Sequence, residues 1–207
     1  MKKGKRCLRA LPAGYHEVKL YDPKSRSFRL LTGPVSFAVS LLAAATVLLL
    51  KTGFSLERFA LRWENRFLWH ILTILALVLA YTSLHELTHG LVYRLLTGQK
   101  LRFGFGGASA WCGVPGIYMK RSVATASCLA PFAVFTAVFL ALLSALPLTA
   151  FWMVVLIGFM NHLGGCFADL IAFCRMMQAG PRLLVWDGGD EQHFYLPHRP
   201  EEKQNNI

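Results

Sequence analysis

Four stretches of the 207-residue chain are dominated by apolar side chains and contain almost no charge. They cover residues 34–50, 67–84, 123–146 and 148–173. Each is close to or above the length of about 20 residues that an α-helix needs to cross a bilayer. The pattern therefore predicts an all-α integral membrane protein with four transmembrane helices.

The segments between and around these stretches complete the predicted architecture. The helical pattern of the second stretch continues to Thr97, and Gly98 follows as a natural helix end. Aromatic residues and glycines alternate over residues 101–118, which predicts a short hairpin or re-entrant loop between the second and third spans.

Three regions follow from this pattern. Residues 1–33 are polar and basic and predict a cytoplasmic lead that lies along the membrane surface, too poor in apolar periodicity to fold alone. Residues 34–175 form the four-span domain, and residues 176–207 form a polar cytoplasmic tail.

Composition supports a membrane location and the charges give an orientation. Hydrophobic residues make up 55% of the chain and charged residues 16%, which is too apolar for an ordinary soluble domain. The net charge of +11 lies in segments that flank the spans, which favours anionic lipids as partners and disfavours nucleic acid. With both termini and the second connection cytoplasmic, 18 Lys and Arg residues lie inside and 4 outside, as the positive-inside rule requires.

The second span carries an H-E-x-x-H motif at its predicted cytoplasmic end, formed by His85, Glu86 and His89. Positions four apart lie on one face of a helix, so both imidazoles can bind one ion. Two imidazoles and an oxygen donor suit a single zinc ion, and Glu86 is the expected general base for an attacking water.

A third ligand should lie at the same depth in the membrane. Glu86 and Asp169 are the only acidic residues within the four predicted spans, with the second span extended to Thr97. Asp169 is about 20 residues into the fourth span and His85 about 18 into the second, so their depths agree within about one turn. We therefore expect Asp169 to be the third ligand, with His162 as the alternative. Asn161 is a candidate to bind a substrate carbonyl or the oxyanion, or else a hydrogen bond between helices.

These residues resemble the site-2-protease-like intramembrane zinc metalloproteases, and more specifically the small bacterial putative zincin membrane peptidases. The site-2 group has an Asn followed eight positions later by a metal-binding Asp, as Asn161 and Asp169 are here. Its motif also has two prolines and a glycine, where this chain has Gly164, Phe167 and Leu170, which favours the smaller family. The resemblance implies a protein of the bacterial inner membrane that cleaves transmembrane or juxtamembrane segments of its substrates.

The sequence thus predicts a zinc metalloprotease that acts on membrane protein or peptide substrates. Two other classes of protein remain open. A non-catalytic zinc-binding scaffold or chaperone would have a closed site with four ligands, including His162 as well as Asp169. An ion transporter would use the intramembrane His and Asp side chains to line a path for the ion.

Overall fold

The computed structural model describes residues 6–53, 67–106 and 109–198. Within these residues the chain forms six α-helices, one π-helical turn and seven β-strands. The helices are α1 (Arg26–Leu30), α2 (Ser36–Thr52), α3 (Phe67–Thr97), α4 (Arg121–Ala145), α5 (Ala150–Gly165) and α6 (Phe167–Ala179), with the π-helical turn Leu31–Val35 joining α1 to α2. The strands are β1 (Cys7–Leu8), β2 (Tyr15–Val18), β3 (Arg102–Gly106), β4 (Ser109–Gly113), β5 (Tyr118–Lys120), β6 (Leu184–Asp187) and β7 (Gln192–Pro197).

Four helical stretches of the described chain are long and apolar enough to cross a membrane: Arg26–Thr52, Leu68–Thr97, Arg121–Ala145 and Ala150–Ala179. The four predicted spans are therefore present as helices. The first begins earlier than the apolar run, because α1 and the π-helical turn precede α2. The second ends where the sequence indicated: Gly98 has a φ of +70°, and its N–H donates to the carbonyl of Arg94 at 2.9 Å.

The chain divides into two compact units, and the first, here called the helical unit, comprises residues 23–85 and 131–168. Helix α2 packs on α5 in this unit. Ser36, Ser40 and Ala44 follow one another at intervals of four residues and are all buried. Small side chains at this spacing let two helices approach closely, which is how helices commonly associate in a membrane.

Larger side chains fill the rest of the helical unit. Its buried cluster consists of Ala44, Tyr81, Phe139, Leu143, Trp152, Val155, Leu156 and Phe159. The indole N–H of Trp152 donates to the carbonyl of Leu143 at 2.8 Å, so the polar atom of this fully buried ring is satisfied. The residues around Tyr81 are therefore tightly packed and largely apolar.

The second unit, here called the mixed unit, comprises residues 1–22, 86–130 and 169–207, as far as these are described. It contains a five-stranded sheet with the order β1-β5-β6-β7-β2, in which every neighbouring pair is antiparallel. Strands β3 and β4 form a separate two-stranded hairpin, in register from Arg102 opposite Gly113 to Gly106 opposite Ser109. A hairpin or a re-entrant loop was expected in this segment, and a hairpin is present.

The prediction of an all-α protein is wrong, because the sheet recruits residues from the lead and the tail. Its strands are two to six residues long and come from three distant parts of the chain. Such strands are stabilised by their partners and by burial of one face, so they leave little local periodicity in the sequence. The division into a lead, a four-span domain and a tail stays a prediction. Residues 54–66, which carry most of the charge expected outside, and residues 199–207 of the tail lie outside the described residues.

A buried carboxylate ties the sheet to helix α3. Asp187 accepts hydrogen bonds from the Tyr93 hydroxyl at 2.7 Å, the Gln192 amide at 2.9 Å and the Gly189 N–H at 2.9 Å. Burial raises the pKa of Asp187 above its ordinary value, although these donors act in the opposite direction. Tyr93 lies one turn after His89, so the sheet holds the helix close to the motif.

An ion pair on the sheet predicts a pH dependence. Nδ1 of His193 lies 2.7 Å from a Glu17 carboxylate oxygen, and this hydrogen bond raises the pKa of His193, with Glu191 adding to the effect. Stabilisation by the pair is complete below the unfolded pKa of about 6.5 and is lost as the pH rises through the folded value.

We expect His193→Gln to lower the thermal midpoint of the protein at pH 5.5 more than at pH 8.5. The difference should be worth less than about 1 kcal/mol, because the pair is partly exposed. Glu17→Gln should remove the same pH-dependent contribution to the stability of the protein, because it breaks the same ion pair. A gap between wild type and variant that widens as the pH rises would contradict this assignment.

Candidate metal centre

The structure brings three of the predicted site residues together. His85, His89 and Asp169 each offer one ligand atom, and these atoms all lie within 4.8 Å of one another. Both histidines are buried and Asp169 is partly buried. His85 and His89 lie one turn apart on α3, so the regular helix alone fixes their spacing.

Asp169 reaches this position through a break in the fourth span. Helix α5 ends at Gly165, Cys166 caps it, and α6 begins at Phe167. Asp169 therefore lies in the first turn of α6, where the exposed N–H groups of a helix favour a carboxylate. The sequence predicted one continuous helix here, so the break is a finding of the structure. One carboxylate oxygen of Asp169 lies 3.6 Å from Nε2 of His89.

A backbone carbonyl fixes the tautomer of His89. Nδ1 of His89 lies 2.9 Å from the carbonyl oxygen of the buried residue Ser127 in α4. A carbonyl oxygen can only accept, so Nδ1 carries the hydrogen. In the neutral ring Nε2 then has the lone pair, and Nε2 is the atom that faces Asp169. Histidine ligands of metals are commonly oriented in this way.

His85 is held by a side chain instead. Nδ1 of His85 lies 2.9 Å from the hydroxyl oxygen of Tyr81, one turn earlier on α3. The same hydroxyl oxygen lies 2.9 Å from Nδ1 of His162. Since Nδ1 of His85 is engaged by Tyr81, Nε2 is the nitrogen through which His85 can bind a metal.

His162, the alternative ligand, has both ring nitrogens hydrogen-bonded elsewhere. Its Nδ1 is hydrogen-bonded to the hydroxyl of Tyr81, and its Nε2 lies 2.9 Å from the hydroxyl of Thr136. The side chain of His162 is fully buried. It is not among the three residues whose ligand atoms cluster. Asn161 precedes it on α5 and is exposed. Because α5 ends before Asp169, helical spacing does not place Asn161 on the same side as the carboxylate.

Glu86 lies close to the β3–β4 hairpin. Burial and, to a lesser extent, the negative charges of Glu86 and Asp187 together raise the pKa of Cys112 in β4 to about 12. The absence of a side chain at Gly90, the residue after His89, lets the hairpin pack close to α3. A Cβ at this position would lie 2.9 Å from Cys112 Sγ and from the ring of Phe103. Only glycine lets these side chains rest against α3 here.

Two residues that matter at the site did not emerge from the sequence. Tyr81 lies four positions before His85, so the spacing rule for helices could have identified it as a neighbour. Ser127 contributes a main-chain carbonyl, which every residue possesses, and nothing in the sequence distinguishes it. Its hydroxyl also donates to the carbonyl of His89 at 3.3 Å.

The family of the chain follows from comparison with known proteins. Residues 77–184, slightly more than half of the chain, match the profile of the family described as putative zincin peptidase. The chain belongs to this family. The matched segment of this zincin family member includes His85, Glu86, His89 and Asp169. A search of curated proteins and a search of solved structures returned no match.

The donor atoms fit the zinc that the family name implies. Two imidazoles with Nε2 available and one carboxylate match the ligand set of catalytic zinc sites, which keep a further position open. Zinc suits these donors better than magnesium or calcium, which prefer oxygen ligands alone. The cluster can therefore hold one zinc ion.

We expect the purified protein to contain about one zinc per chain and the His89→Ala and Asp169→Ala variants to contain almost none. Elemental analysis of protein in detergent, after dialysis against a weak chelator, measures this directly. His70→Ala is the matched control, because His70 lies in the first turn of the same helix and outside the cluster. Full zinc occupancy in the Asp169→Ala variant would remove Asp169 from the site.

Proposed function

We propose that this protein is a zinc-dependent membrane peptidase that hydrolyses peptide bonds of membrane-associated proteins. One observation carries the proposal: the ligand atoms of His85 and His89 cluster with that of Asp169, and Glu86 lies between the two histidines in the sequence of α3. Membership in the zincin family supports the same chemistry. Helices long enough to span a bilayer support a substrate that is itself in or near the membrane.

The residues of the chain have distinct roles in the proposed reaction. Zinc held by His85, His89 and Asp169 would lower the pKa of a bound water to about 7 and polarise the scissile carbonyl. Glu86 takes a proton from the attacking water on one carboxylate oxygen and later gives it to the leaving amide nitrogen. The carbon–nitrogen bond breaks, leaving a carboxylate on one fragment and an amine on the other. Asn161 is the proposed donor to the carbonyl oxygen or oxyanion.

The β3–β4 hairpin is the proposed holder of the substrate. Within the described residues β3 and β4 pair only with each other, so an outer edge of the hairpin can take a further strand. An extended peptide added there would expose its carbonyl groups, as cleavage requires. The electrostatic effect of Glu86 on Cys112 and the close packing at Gly90 support placing this edge beside the general base.

The membrane orientation and partners are also proposals. Both termini would be cytoplasmic in the bacterial inner membrane, with the site near the inner leaflet and anionic lipids bound to the basic segments. The Lys and Arg side chains of these segments would then contact lipid headgroups, and no nucleic acid is expected as a partner. The spacing of Asn161 and Asp169 further suggests a relationship to the site-2-protease-like enzymes.

A non-catalytic zinc scaffold is the second candidate, and the position of His162 counts against it. A closed structural site needs a fourth protein ligand, and His162 was the expected one. Instead its two ring nitrogens bond to Tyr81 and Thr136. An ion transporter is less well supported, because it gives no reason for Glu86 to lie between two histidines.

Glu86→Gln tests the peptidase. The variant should bind zinc as wild type does, because the ligands are unchanged, and should lose at least about 100-fold in cleavage rate, because an amide cannot accept the proton. Membranes incubated with wild type or variant can be compared by mass spectrometry of newly formed N-termini. New termini should appear only with wild type and disappear with a zinc chelator. A Glu86→Gln variant that still cleaves would overturn the mechanism.

Gly90→Val tests the role of the hairpin. The added side chain would push Phe103 and Cys112 away from α3, and a displacement of about 1 Å near the reacting atoms can cost up to about 100-fold in rate. We expect cleavage to fall by at least about tenfold with zinc still bound. Leu91→Val is the control, because Leu91 is exposed on the same helix. Unchanged cleavage by Gly90→Val would argue against substrate binding at the hairpin.

A further inference from the structure

A buried chain of hydrogen bonds begins at His85 and lies within the helical unit. It runs from Nδ1 of His85 to the Tyr81 hydroxyl, then to Nδ1 of His162, and from Nε2 of His162 to the hydroxyl of Thr136. Each of these contacts is 2.9 Å long. None of the three added residues belongs to the cluster of ligand atoms.

We propose that Tyr81 and His162 are positioning residues that fix the tautomer and ring orientation of His85 and so strengthen the binding of a metal ion at its Nε2. This inference rests on the proposed function, because it assumes that His85 is a zinc ligand. It assigns His162 a defined part in metal binding, although His162 does not touch the metal.

The direction of the hydrogen bonds follows from counting protons. A neutral His85 that binds metal through Nε2 carries its hydrogen on Nδ1 and donates it to the oxygen of Tyr81. Tyr81 has one hydroxyl hydrogen, which it then donates to Nδ1 of His162. His162 consequently carries its hydrogen on Nε2 and donates it to Thr136. The reverse direction would put the hydrogen of His85 on Nε2, where it would block the metal.

The surroundings keep this chain rigid. The ring of His162 packs among the rings of Phe132, Phe135, Phe139 and Phe159, at centroid distances between 5.6 and 6.4 Å. Tyr81 packs against two of the same rings, at 5.3 and 6.0 Å. In such apolar surroundings the loss of a hydrogen-bond partner costs free energy. The side chains are therefore held in the arrangement in which every polar atom has a partner.

One further polar atom lies at this junction. The sulfur of Cys166 is 3.5 Å from Nδ1 of His162 and 3.8 Å from the Tyr81 hydroxyl. A thiol is a weak donor and a weak acceptor, so it supports the junction less strongly than the hydroxyl does. Tyr81 is therefore the connection on which the orientation of His85 depends.

The experiment measures zinc affinity of the detergent-purified full chain by competition with a chromophoric chelator. Changing the outer partner of a metal-binding histidine typically costs between about 10- and 100-fold in affinity. We expect a loss of this size for Tyr81→Phe and for His162→Phe, which keeps an aromatic ring in the same cage. The double variant should lose no more than the stronger single variant, because both act through one hydrogen bond to His85.

Trp152→Phe is the matched control, since Trp152 is a fully buried aromatic residue of the helical unit whose N–H donates to the carbonyl of Leu143 and not to a member of the hydrogen-bond chain. It should destabilise the protein to a similar degree and leave zinc affinity within about twofold of wild type. Visible absorption of the cobalt-substituted protein provides a second readout: the ligand-field bands should shift in Tyr81→Phe and not in Trp152→Phe.

The possible outcomes separate this inference from the proposed function. Wild type that binds no zinc overturns the proposed function. Wild type that binds zinc, with Tyr81→Phe and His162→Phe binding equally well and cobalt bands unchanged, overturns the positioning role alone. If either aromatic variant fails to fold, the zinc affinity and the cobalt bands of the other variant decide, because each variant removes a contact of the Tyr81 hydroxyl. Unchanged affinity in that variant would then count against the inference.

Discussion

Two buried imidazoles and a carboxylate in apolar helices impose the constraint on which the rest of this structure depends. Polar groups inside membrane-spanning segments are costly unless each finds a partner. His89 is hydrogen-bonded to the carbonyl of Ser127, and His85 is hydrogen-bonded to the hydroxyl of Tyr81. Asp169 lies beside Nε2 of His89. The polar residues around the cluster are therefore explained by the need to satisfy and orient three side chains.

The break in the fourth span follows from the same constraint. A continuous helix would bury Asp169 in mid-helix, where no free N–H group is available to it. Ending α5 at Gly165 and starting α6 at Phe167 places the carboxylate in a first turn instead. Interrupted helices in membranes are tolerated where they surround a polar site, and the break here lies three residues before Asp169.

The sequence predicts much of this architecture because two of its signals are local. Apolar runs identify four spans, and the spacing of His85, Glu86 and His89 requires only that the segment be helical. Asp169 could be found because it is the only acidic residue within the four apolar runs. The five-stranded sheet could not be predicted from the sequence. Cys7 pairs with Met119 and Met119 with Val185, and pairings between such distant residues leave no local pattern. The stretch from Leu184 to Pro197, in which two short strands flank Asp-Gly-Gly, is a hairpin signal that the sequence does carry.

The two histidines are oriented by different chemical means, and the difference explains why one of them needs a longer chain of contacts. A carbonyl can only accept, so the single contact with Ser127 is enough to set the tautomer of His89. A hydroxyl can donate or accept, so Tyr81 alone leaves the tautomer of His85 undecided. A neutral imidazole nitrogen can also do either. The direction follows once Nε2 of His85 is assigned to the metal, and Nδ1 of His162 is then the acceptor. Because a hydroxyl and not a carbonyl orients His85, a further acceptor is needed for the hydrogen of that hydroxyl. His162 is buried beside Tyr81 and fills this role without binding the metal.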